Sequence, residues 1–197
     1  MALTDRHDVF IGSTDDGWTF VVLNRPIHGA SRILTGAGFT ARRHQGRTLY
    51  LLPPDTAEDA HERAGVAVYG LMSHTLVDLA WTTRQPTADG TAEPEVVIRF
   101  AGTTVTATAA TDQAASVLVQ HGFLPGVEPR HFALPSRLGE HEALQAVVHA
   151  EAHLYTQGIS VRIHLGMATV EDIPPAPNRP GSTPVRPADA PPKRRTH

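Results

Sequence analysis

Ala114, Val117, Leu118, Gly122-Phe123, Leu134-Pro135, Val147, Ala150 and Leu154 form a pattern met earlier in the chain as Ala30, Ile33, Leu34, Gly38-Phe39, Leu52-Pro53, Ala64, Ala67 and Leu71. The copies lie 84 residues apart at Gly-Phe, 82 at Leu-Pro and 83 in the helix that follows. A drift of one or two residues is what changes in loop length leave between two copies of one structural unit.

Working outward, each copy reads strand-strand-helix-strand-helix-strand. Residues 8–24 predict a hairpin turning at Asp16-Gly17, with Ile11 opposite Val22 and Phe10 opposite Leu23. Both of its faces are apolar, so the sheet is expected to be covered on both sides. Pro26 can open the first helix and Gly38 can close it in a left-handed conformation. Residues 41–47 read as a basic loop before a strand over 49–52. The next helix buries Ala60, Ala64, Ala67 and Leu71, and residues 77–81 alternate as a closing strand. In the second copy, Gly102-Thr103 turns a hairpin that pairs Phe100 with Val105, Ile98 with Ala107 and Arg99 with Thr106. A helix follows from an Asp112 cap to Gly122, then a strand over 131–134. A long helix capped at Ser136 runs to Gln157, and a strand over 161–165 closes the unit.

The fold expected is therefore α+β: two tandem two-layer units, each with two helices on one face of a mixed four-stranded sheet. The units span 1–83 and 95–170, joined by a linker at 84–94 and followed by a disordered Pro/Ala/Arg-rich tail at 171–197. Eight of the sixteen prolines fall between Pro174 and Pro192, which sets that tail apart. A unit of this size alone rarely holds a core worth more than ~3–5 kcal/mol, so the two are expected to pack on each other.

Net charge is -3, so no strong field favours nucleic acid or anionic membranes. The chain has no cysteine, which excludes disulfides, thiolate nucleophiles and cysteine metal sites. No basic segment followed by an apolar run marks a signal peptide, and no apolar run reaches ~18 residues. These features lead to the expectation of a cytoplasmic protein without membrane segments. Lys193 stands alone against sixteen arginines, a bias that warns against reading each arginine as a ligand.

Several constellations carry possible chemistry. His149-Ala-Glu-Ala-His153 sets two imidazoles one helical turn apart, the spacing of two metal ligands, though a third and fourth are not visible. The alternative is a solvated helix face, since the pair lies opposite the Ala143, Val147, Ala150, Leu154 stripe. Arg42, Arg43 and Arg47, with Arg99, Arg162 and the terminal Lys193-Arg194-Arg195, offer guanidinium and ammonium groups to phosphates. An exposed loop in an arginine-biased chain is the alternative. The second unit's sheet face away from its helices is polar (Arg99, Thr104, Thr106, Thr108, Ser160, Arg162, His164), and it lacks the aromatics on which single strands stack. The chain has no Gly-rich phosphate loop, no Gly-x-Ser-x-Gly and no acidic cluster of metal-ligand spacing. No catalytic residue and no cofactor are assigned on these grounds.

Gly122-Phe123, the run His131-Phe132-Ala133-Leu134-Pro135 and the Ala-rich helix from Ala143 into the strand ending at Leu165 resemble a tandem-repeat protein group of high-GC actinomycetes that has no defined activity. The resemblance implies the duplicated architecture and carries no site residues. The reading is a non-enzymatic binding or adaptor module. It engages a protein partner or itself through the apolar sheet surface of the first unit or the polar face of the second. Nucleic-acid binding through Arg42, Arg43, Arg47, Arg99 and Arg162 is the alternative. A metal-dependent enzyme built on His149 and His153 is a third reading.

Overall fold

The computed structural model describes residues 2–54, 57–73, 76–83 and 93–177, with 57–59 as backbone only. The first unit comprises β1 (Val9–Ser13), β2 (Thr19–Leu23), α1 (Ala30–Gly36), β3 (Thr40–His44), β4 (Arg47–Leu52), α2 (Ala57–Met72) and β5 (Leu79–Trp81). The second comprises β6 (Val96–Ala101), β7 (Thr104–Ala109), α3 (Asp112–Gln120), β8 (Leu124–Pro125), β9 (His131–Ala133), α4 (Glu140–Thr156) and β10 (Val161–His164). The sheets are ordered β3-β4-β2-β1-β5 and β8-β9-β7-β6-β10, the same path walked twice. In each, only the last strand runs parallel to its neighbour.

The repeated Gly-Phe has a single physical role. Gly38 and Gly122 take φ of +93° and +87°, which glycine adopts without strain. Each left-handed turn lets the next amide reach back into the helix: Phe39 N donates to Leu34 O at 3.0 Å, and Phe123 N to Leu118 O at 3.1 Å. Both phenylalanines then enter the core.

Each sheet has five strands, not four. Residues 40–44, expected as loop, form edge strand β3, which pairs with β4 from Thr40–Leu51 to His44–Arg47. Gln45 and Gly46 turn the hairpin with φ of +42° and +84°, as a two-residue type I′ turn requires. The edge strand is exposed along nearly its whole length, so no apolar alternation marked it. The first hairpin is also shifted by one residue, pairing Phe10 with Val22 and Ile11 with Val21. Its loop holds three residues, Asp15-Asp16-Gly17, closed by Thr14 N to Trp18 O at 2.9 Å, with Gly17 at φ +93°. The second hairpin has the expected register throughout. Helix starts differ from those expected, two of them later and one a residue earlier. α1 begins at Ala30, α4 at Glu140, and Thr111 rather than Asp112 caps α3, its Oγ1 accepting from Ala114 N.

Val9, Ile11, Val21, Tyr50 and Leu52 face α1 and α2 in one core cluster. The opposite face of the first sheet, with Phe10, Phe20, Val22, Leu49 and Leu51, joins the whole core of the second unit in another. α4 packs between β5 and β10, burying Leu144 and Glu151 as well as the expected Ala143, Val147, Ala150 and Leu154. Gly12 leaves room for the segment that follows β10: a Cβ there would lie 2.6 Å from Leu165 Cδ1 and 2.9 Å from the Phe10 ring. The apolar sheet surface of the first unit is therefore internal. It is not available to a partner, contrary to the expectation that it engages one.

The tail boundary is corrected as well. Residues 171–177 run along the first unit instead of leaving it. Met167, Val170 and Ile173 are buried in the shared core, Asp15 N donates to Met167 O at 2.9 Å, and Ala176 N donates to Gln45 O at 3.0 Å. Residues 178–197 and linker residues 84–92 lie outside the described residues.

Candidate functional site

The five candidate arginines divide by role. Arg47 is buried, and its Nη2 donates to Asp5 Oδ1 at 2.5 Å and to Pro175 O at 2.9 Å. It holds the N-terminal and C-terminal segments onto β4 and offers nothing to a phosphate. Arg42 pairs with Glu171 at 2.9 Å on the surface, and that hydrogen bond holds the Glu171 carboxyl below its ordinary range. Arg43 donates to Thr48 Oγ1 at 3.3 Å. Arg99 and Arg162 stand on a different surface, the open face of the second sheet. The structure thus places the set on the edge hairpin of one sheet and the open face of the other.

That open face is polar as expected. Thr104, Thr106 and Thr108 are exposed along β7, beside Arg99 on β6, His131 on β9 and Arg162 on β10. β6, β7, β9 and β10 contain no carboxylate. Acids reach the face from flanking loops: Asp15 Oδ1 lies 2.6 Å from His164 Nδ1, and Glu128 Oε2 lies 3.5 Å from His131 Nδ1.

His149 and His153 lie on α4, and His121 at the end of α3 joins them. His121 Nε2 is 3.1 Å from His153 Nδ1, and His153 Nε2 is 2.9 Å from Gln157 Nε2. Gln157 Oε1 in turn accepts from Gln113 Nε2 at 3.0 Å. One protonation pattern satisfies the chain: Gln113 donates to Gln157, Gln157 to His153 Nε2, and His153 Nδ1–H to His121 Nε2. It requires neutral histidines and ties α3 to α4. Burial, then the nearby His153 and His149, pushes the His121 pKa below its ordinary 6.5. Among the described residues, no group of three or more His, Asp or Glu has the geometry to hold a metal ion. The third ligand that the His149–His153 reading required is not gathered there.

A group whose folded pKa is depressed leaves the unfolded chain binding more protons near 6.5, so stability rises with pH there. The contribution of His121 is fully present above about pH 7.5 and is lost as pH falls through 6.5 and below. Urea denaturation at pH 8 and pH 5.5 is expected to show a larger loss for the wild-type chain than for His121→Asn, which cannot titrate.

Concave features are modest. A cleft of about 160 Å³ between the N-terminal segment and the second unit is lined by Leu3, Phe100, Val105, Glu140, Ala143 and Leu165. Small-molecule sites run to ~300–1,000 Å³. A larger hollow, about 520 Å³, is an open depression along α3 at Ala115, Ser116 and Val119.

The surface that the sequence reading passed over is the outer side of α2. Val66, Tyr69 and Met72 are 62%, 81% and 55% exposed, and Leu76 just beyond the helix is 95% exposed. Steps of three residues set Val66, Tyr69 and Met72 in one line along the helix. The signal was present, but attention to the buried Ala60, Ala64, Ala67, Leu71 stripe hid a second apolar stripe on the same helix. Gly65 and Gly70 are spent inward, since a Cβ on Gly70 would lie 2.6 Å from Ile33 and one on Gly65 3.6 Å from Trp81.

No protein-family model, no curated protein and no solved structure matches the chain. No helix among the described residues is long and apolar enough to cross a membrane.

Proposed function

We propose that this protein is a non-enzymatic binding module whose partner is a protein, engaged through the outer face of α2. The observation that carries the reading is the line Val66, Tyr69, Met72: three large apolar side chains, all more than half exposed, on one face of one helix. Single exposed apolar residues are ordinary, whereas a contiguous line of this kind is the signature of an interaction surface. The arginines support the same choice, because Arg47 is internal, Arg42 is ion-paired and the rest are divided between two sheets.

A photo-crosslinking amino acid at position 69, expressed in cells, is expected to give a discrete protein adduct on irradiation. The same group at Thr106, on the open face of the second sheet, is expected to give none. An adduct at 106 and none at 69 would transfer the binding role to that face. There Arg99 and Arg162, on strands that carry no carboxylate, suit an anionic partner, nucleic acid included.

A further inference from the structure

We draw no further inference here: the strongest candidate, the exposed apolar line Val66, Tyr69 and Met72 on the outer face of α2, already carries the proposed function, and nothing in the structure shows what covers it.

Discussion

Replacing Arg47 by Met is expected to lower stability by about 3–5 kcal/mol, the cost of leaving one member of a buried ion pair without its counter-charge. The side chains of Arg47 and Asp5 are only 6% and 3% exposed, and they meet at 2.5 Å. The guanidinium also donates to Pro175 O and approaches Thr4 Oγ1, so one side chain holds three segments far apart in sequence: 3–5, β4 and 173–176. Methionine matches much of the arginine's volume and leaves the Asp5 carboxylate buried among groups that no longer neutralise it. The double variant Asp5→Leu with Arg47→Met is expected to recover most of the loss, because the charge has gone with its partner. Equilibrium urea denaturation of the two singles and the double closes the cycle. A single-variant loss below about 1 kcal/mol, the value of an exposed pair, would show that the contact is solvated.

The unequal legibility of the sequence has local causes. The second hairpin was readable because Gly102 fixes the turn and strict alternation over 96–109 fixes which side chains face inward. The Gly-Phe helix stops were readable because the left-handed residue must be found where the apolar spacing ends. Edge strand β3 was not, since a strand with both faces in water has no reason to alternate. The first hairpin's register depended on whether Asp15 belongs to the loop, a difference of one residue that composition does not record. Proline density placed the tail boundary too early, although Ile173, an aliphatic inside that region, was the sign that its first residues pack. Among the candidate site residues, Arg47 was read as a free cation because its counter-charge, Asp5, lies 42 positions away. The α2 stripe was overlooked because a helix apolar on two sides reads first as core.

The second large effect concerns the duplication itself. The two units are expected to unfold together, not one after the other. Among the described residues, the face of the first sheet carrying Phe10, Phe20, Val22, Leu49 and Leu51 shares one core cluster with the second unit, including α4 and the segment that follows β10. Each such side chain is worth about 1.5–3 kcal/mol on burial, so their joint exposure exceeds what a unit of this size holds in reserve. The second unit loses in turn, because Leu165 is buried against that sheet at Gly12 and Leu144 belongs to the same core cluster. The functional reading depends on this coupling. Only while the sheet face stays covered is α2 the apolar surface left to a partner.

Native-state hydrogen exchange on the full chain, read by mass spectrometry across both units, tests the coupling most directly. The slowest amides of β1, β2 and β4 and those of β6, β7 and α4 are expected to exchange through one opening with a common free energy and a common sensitivity to denaturant. Exchange of the first unit at a markedly lower free energy, with the second still protected, would contradict the account. It would mean that the first sheet opens its apolar face on its own, and that face would displace α2 as the place to look for a partner.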